Sequence, residues 1–186
     1  MVFLMGRKFF VMGIVVMVML LLVGCGTTPV DRSGETPEET VTNALNAIKQ
    51  LNEEKIEKYF SDDPIAILRG EEEELRKPYV ENMSFEIISS SVDGDSATVK
   101  VAITNIDMGM IFGEYFGQVL SVEEGLTNEE MDQIFFYLLK RPDNEMVTIT
   151  ANVELTNSAS AGGWIINLDE DFKNAVFGGI GNLFGF

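Results

Sequence analysis

The chain has 186 residues, with 13 Lys+Arg against 30 Asp+Glu, no histidine and a formal net charge of −17. That charge excludes nucleic acid as a partner, because a phosphate backbone repels an acidic surface. The missing histidine excludes Ser-His-Asp and Cys-His catalysis and most zinc and non-haem iron sites, so any chemistry falls to carboxylates, Lys or Tyr and no metal or cofactor is expected.

The first element is a leader. Arg7 and Lys8 precede an apolar run from Phe9 to Val23, which ends in Leu22-Val23-Gly24-Cys25. A charged start, an apolar stretch and a small residue before the cut are the parts of a cleavable signal. The run is about fifteen residues, within the range of a signal core and short of the roughly 20 needed to span a bilayer. It is apolar on every side, which argues against a buried globular helix. Leu22, Val23, Gly24 and Cys25 together resemble the lipobox of bacterial lipoproteins. The resemblance implies that residues 1–24 are a signal peptide, that Cys25 carries a thioether-linked diacylglycerol and palmitate-type acylation, and that the chain is held on the extracytoplasmic face of the cell membrane. Two or more acyl chains give stable attachment. Cys25 is the only cysteine, so its acylation leaves no thiol for a disulfide and the fold must hold by its core. Loss of Arg7 and Lys8 from 13 bases, with no acid lost from 30, leaves a net charge of −19. Such a domain stands off anionic headgroups.

Residues 25–35 read as a flexible tether, about ten residues spanning about 17–19 Å on average. Residues 36–186, together with this tether about 160 residues, are one domain's length. Thr36-Pro37-Glu38-Glu39 is a helix start: Thr36 caps, Pro37 suits the first helical position and Glu39 completes a capping box. Val41, Leu45, Ile48 and Leu51 continue at helical spacing. Asn52 restarts a second helix with Ile56, Tyr59 and Phe60 on its apolar face, and Asp62-Asp63-Pro64 breaks it. Glu71–Glu74 lead into a short polar helix through Leu75-Arg76-Lys77. Consecutive helical glutamates fan outward and lack the spaced, turning loop of a calcium site.

Ser84–Val92 reads as a strand, Asp93-Gly94-Asp95 as a hairpin turn, and Ala97, Val99, Val101 and Ile103 as the inward side of a second strand. Met108–Pro142 holds two helical stretches. The first carries Ile111, Phe112, Tyr115, Phe116, Val119 and Leu120, after Asp107 as a cap. The second, after Thr127 and Glu130 as a capping box, carries Met131, Ile134, Phe135, Leu138 and Leu139. Val147–Leu155 alternates as a third strand, and Trp164, Ile166 and Leu168 form the fourth. Asp169-Glu170-Asp171 opens a last helix with Phe172, Ala175, Val176 and Phe177 facing inward. The predicted architecture is α+β: N-terminal helices packed on a bent four-stranded antiparallel sheet, with a helical insertion between strands 2 and 3 and a C-terminal helix.

Three stretches carry a family resemblance: Thr36-Pro37-Glu38-Glu39-Thr40-Val41 with its helix, the Val92–Val99 hairpin, and Gly162-Gly163-Trp164-Ile165-Ile166 running into Asp169-Glu170-Asp171-Phe172. Together they resemble small acidic bacterial lipoproteins that carry an uncharacterised domain of the nuclear-transport-factor-2-like or cystatin-like kind. That resemblance implies a helix layer on a strongly bent sheet that can leave a conical pocket. It carries over no catalytic pattern, because the family's enzymes use His or Asp in the pocket and this chain has no His.

Several residues compete for a role. Glu114 lies inside an apolar stretch. Buried among aromatics it would serve as an acid or base; its neighbours at helical spacing, Met110, Ile111, Gly117 and Gln118, favour an outward position instead. Tyr115, Phe116, Phe135, Phe136 and Trp164 either line an apolar pocket, or a partner surface with Glu114, or pack as core. Phe135, Phe136 and Tyr137 are adjacent and cannot all face one way, so one is expected at the surface. The glycine-broken apolar tail Gly178–Phe186 either packs on the sheet or meets a partner or membrane. The functional expectation is a membrane-anchored extracytoplasmic lipoprotein that binds a ligand or an envelope protein without enzymatic chemistry. The alternatives are a carboxylate-based enzyme acting on a small apolar substrate and a structural component of an envelope complex.

Overall fold

A computed structural model describes residues 34–68, 73–122 and 125–181. Leu22, Val23, Gly24 and Cys25, the acids Glu71 and Glu72, and residues 182–186 of the tail lie outside the described residues. In chain order come α1 (Pro37–Lys49), α2 (Glu53–Tyr59), α3 (Glu73–Arg76), β1 (Ser84–Asp93), β2 (Ser96–Ile106), α4 (Met108–Leu120), α5 (Asn128–Leu139), β3 (Met146–Ser158), β4 (Gly163–Asn167) and α6 (Glu170–Val176). The architecture is α+β, with the strands in order β1-β2-β3-β4, every neighbour antiparallel, and α4 and α5 inserted between β2 and β3.

The helix starts are those the local sequence dictates. Thr36 Oγ1 accepts from the Glu39 N–H at 3.2 Å while the Glu39 carboxylate accepts from the Thr36 N–H at 2.9 Å. Asn52, Asp107, Thr127 and Asp169 cap α2, α4, α5 and α6 through their side-chain oxygens. Asn52 does double duty. It follows Leu51, which sits at φ 50°, and the Leu51 and Asn52 N–H groups close the end of α1 on the Ile48 and Ala47 carbonyls at 2.9 and 3.0 Å. This is the paired closure usually reserved for glycine. Here a leucine accepts the left-handed backbone and packs its side chain on the core.

Strand alternation sorts the side chains into two faces. Val99, Val101 and Ile103 of β2 and Ala151, Val153 and Leu155 of β3 are buried under α1, α2 and α6, whose Leu45, Ile48, Ile56 and Phe172 fill the layer between. The opposite face is polar. Across it Thr104 pairs with Thr148 at 2.8 Å and Thr98 with Glu154 at 3.0 Å. A bulge at Ile88 separates the two halves of β1 and leaves Ile88 exposed.

Two expectations change. The second helix ends one residue early, because Phe60 turns extended and bridges to Ile166 of β4 while the Ser61 N–H donates to the Ile166 carbonyl at 3.0 Å. Sheet pairing thus takes the residue that helical spacing would keep. Glu35, assigned to the tether, belongs to the domain: its carboxylate accepts from Asn43 and from the Tyr59 hydroxyl, both at 3.3 Å.

Where β2 ends, a buried amide joins three elements. Asn105 Nδ2 donates to the Tyr79 carbonyl at 2.8 Å and to the Val176 carbonyl at 2.7 Å, and its Oδ1 accepts from the Ile106 N–H at 2.8 Å. Beside it the end of α6 closes on Gly178 (φ 57°) and Gly179, whose N–H groups reach the Ala175 and Asn174 carbonyls. Gly178 is pressed against the Ile106 carbonyl, and its own carbonyl accepts from the Met108 N–H at 3.0 Å.

Replacing Asn105 by Ala removes the hydrogen-bond partner of two carbonyls and of the Ile106 N–H and should cost on the order of 2–4 kcal/mol, read as a lower urea midpoint at unchanged slope. Glycines should respond in opposite senses. Gly178→Ala drives a Cβ into the Ile106 carbonyl at a left-handed backbone and should destabilise by about 1–3 kcal/mol. Gly113→Ala, in the middle of α4 with open space beside it, should stabilise by about 0.5–1 kcal/mol. Thermal melts of the two variants check the sign.

Candidate functional site: the inserted helical hairpin

Asp107 opens α4 and leaves the sheet at the end of β2; α5 returns to the start of β3. The two helices form their own apolar cluster of Ile106, Met108, Ile111, Leu138 and Leu139, with Tyr79 and Ile180 leaning on it from the body. Aromatic rings fill the seam. Phe135 meets Phe112 at 5.2 Å, Tyr115 at 5.5 Å, Phe136 at 5.9 Å and Tyr79 at 6.2 Å between ring centroids. These are the tilted and edge-on contacts that aromatic quadrupoles favour. Tyr115 and Phe135 are therefore half-buried packing residues. Phe116 lies at the rim, touching Phe112 and Tyr115 and still 49 % exposed.

Trp164 does not join them. It occupies an inward position of β4 opposite Asn157 and is buried in the core between sheet and helices. The aromatic residues grouped by the sequence reading thus separate, Trp164 going to the sheet core and Tyr115 and Phe135 to the hairpin seam. Periodicity assigns a residue to a face of its own element and carries no information about which neighbour covers that face.

Glu114 takes the outward position. It meets the Arg141 guanidinium through two parallel hydrogen bonds of 2.8 and 2.9 Å. Arg141 also reaches Asn144 Oδ1 at 3.3 Å, and Asn144 Nδ2 donates to the last carbonyls of α5, Leu138 at 2.9 Å and Leu139 at 3.1 Å. Glu114 holds the Arg141 pKa above its ordinary value, chiefly through this hydrogen bond. The chain Glu114–Arg141–Asn144 clamps α4 to the end of α5. A carboxylate spent in this way, at the surface, is a fastener and not an acid or base facing an enclosed substrate.

Two hollows lie beside α5. An open groove of about 630 Å³ runs between Leu75 of α3 and the α5 side chains Glu129, Asp132, Phe136, Tyr137 and Lys140. A smaller hollow of about 260 Å³ adjoins it, sharing Leu75, Asp132 and Phe136 and reaching Arg76. Arg76 pairs with Glu53 at 2.6 Å, and its buried Nε finds no acceptor among the described residues. Sequence reasoning missed the groove because its second wall, Leu75, comes from a segment more than fifty residues earlier. Adjacent aromatics were the only local hint, and Tyr137 is the one that is fully turned out, 68 % exposed.

Among the described residues no group of three or more His, Cys, Asp or Glu side chains is placed to hold a metal ion, and no helix is long and apolar enough to cross a membrane. No family model, curated protein sequence or solved structure matches this chain.

The cap of α5 has a pH signature. The Glu130 carboxyl is held below its ordinary 4.5 by the Thr127 backbone N–H and then by the Thr127 hydroxyl. A folded-state pKa below the unfolded one means stabilisation present above the unfolded value and lost as pH falls through the folded one. The first turn of α5 should therefore fray on acidification below pH 4.5, seen as faster amide exchange at 129–132, and Glu130→Gln should remove that dependence.

Proposed function

We propose that this protein is a lipoprotein, anchored through Cys25 on the extracytoplasmic face of the cell membrane, whose inserted hairpin binds a ligand or an envelope protein without enzymatic chemistry. The leader sequence supports the anchor. The helix-first order and the four-strand antiparallel sheet support the likeness to nuclear-transport-factor-2-like domains at the level of architecture.

One observation carries the binding role. Of the eight large apolar side chains that stand exposed among the described residues, Met110, Phe116, Leu120, Val122 and Tyr137 lie on α4, α5 or the turn after α4, and Leu120 is 82 % exposed. Water-facing apolar surface gathered on one element of an otherwise polar, acidic domain marks a contact surface. Its location fits that task. Glu38 near the start of α1 bonds Ser90, which lies opposite Val99 of β2. From Val99 the strand runs seven residues to Ile106, roughly 23 Å at about 3.3 Å each, before α4 begins. The first helix starts beside one end of the sheet and the hairpin leaves from the other.

Two measurements test the proposal. Labelled palmitate should mark the full chain in cells and fail to mark Cys25→Ala. A photo-crosslinking amino acid at Phe116 or Tyr137 should trap a cellular component that the same group at Thr150, on the polar sheet face, does not. Equal trapping at all three positions, or none at the hairpin, would refute the binding role.

A further inference from the structure

We propose that the groove along α5 takes a cationic, apolar segment of a partner protein. This rests on the binding role argued above and identifies the chemistry of what is bound. The floor and walls are apolar, formed by Leu75, Phe136 and Tyr137. Their burial supplies non-directional affinity and no selectivity. Selectivity comes from the charges at the rim.

Glu129 and Asp132, one helical turn apart, both line the groove and hold no ion pair or hydrogen bond among the described residues. Arg141 lines the groove too, but Glu114 neutralises it through two hydrogen bonds, and Glu130 is turned back into its cap. Two unspent carboxylates beside an apolar wall favour an ammonium or guanidinium group. The faces of Phe136 and Tyr137 offer the same preference through their ring quadrupoles. The net charge of −17 extends it to long range, drawing cations in before contact.

Lys140 sets the direction. It lines the same groove eight residues after Asp132, about 12 Å along the helix axis at about 1.5 Å per residue. A cation placed there is repelled. The fitting occupant therefore has its Lys or Arg residues against the first half of α5 and its apolar side chains against Phe136 and Tyr137. Some three to four extended residues cover that distance at about 3.3 Å each.

The test is selection from a library of random twelve-residue peptides against the full chain in nanodiscs of zwitterionic lipid. Enriched sequences should pair basic with apolar residues. Their affinity should fall tenfold or more in the doubly substituted Glu129→Lys, Asp132→Lys chain, fall with added salt, and stay unchanged in Thr150→Lys. Glu129 and Asp132 are exposed, so the reversed chain should keep its melting profile. A second variant, Tyr137→Ser, should weaken the same peptides without altering their charge preference. Enrichment of uncharged or acidic peptides, no enrichment at all, binding that survives charge reversal, or a groove filled by a second copy in sedimentation would overturn the proposal. If the proposal fails while crosslinks from Phe116 persist, the binding role stands and only the nature of its partner is wrong.

Discussion

The buried amide of Asn105 is the constraint on which the rest of the molecule depends. It stands at the last inward position of β2, where the sheet stops and the chain must both leave for α4 and receive the end of α6. Three backbone groups converge there, the carbonyls of Tyr79 and Val176 and the N–H of Ile106, and each would be stranded without a partner. One side chain with two donors and an acceptor serves all three. Gly178 completes the junction, since only a residue without a Cβ lets the chain after α6 approach the Ile106 carbonyl so closely. The Met108 N–H, left over as α4 begins, finds its acceptor on that same glycine. The position of the hairpin follows from this junction.

On one side of the junction lies a two-layer body, with helices α1, α2 and α6 over one face of the sheet and large side chains buried between. On the other lies a single layer. The α4–α5 hairpin buries only four residues of its helices, Met108, Ile111, Leu138 and Leu139, and leans on the body through Tyr79 and Ile180. A lone helical pair cannot cover both sides of itself, so half-buried aromatics in its seam and exposed Leu120, Phe116 and Tyr137 are what its geometry leaves over. Glycines at 113 and 117 weaken α4 further, each by about 1 kcal/mol relative to alanine. The Glu114–Arg141–Asn144 clamp is the polar counterweight, fixing the helices to each other at their base. Its exposed apolar side chains are what a partner would cover.

Charge divides the surface in a similar way. Much of the acidic excess is tied into local structure: Glu39 and Glu130 close capping boxes, Glu35 fastens the entry of the chain to Tyr59 and Asn43, and Glu53 and Glu54 pair with Arg76 and Lys58. Glu129 and Asp132 hold no such partner among the described residues, and they line a groove with aromatic walls. The placement of these two carboxylates beside aromatic walls, more than the total charge, distinguishes the groove from the rest of an acidic surface.

Local rules alone determined most of the elements. Caps such as Thr36 with Glu39 and Thr127 with Glu130, the Asp93-Gly94-Asp95 turn and the alternation in β2 and β3 act over two to four residues, and they are visible in the chain because their partners are neighbours in it. The exposure of Tyr137 beside Phe135, and the outward turn of Glu114, were legible for the same reason. Tertiary structure decided what each face met. Trp164 and Phe135 are equally apolar, yet one went to the sheet core and the other to the hairpin. Phe60 left its helix for a bridge to Ile166, Glu35 left the tether for Tyr59, and Leu75 came across to wall a groove on α5. These outcomes depend on contacts between residues 24 to more than 100 positions apart, which no local period encodes. Asn105 is the clearest case: in sequence a polar residue near the end of a strand, and in space the one amide able to satisfy three separate segments at once.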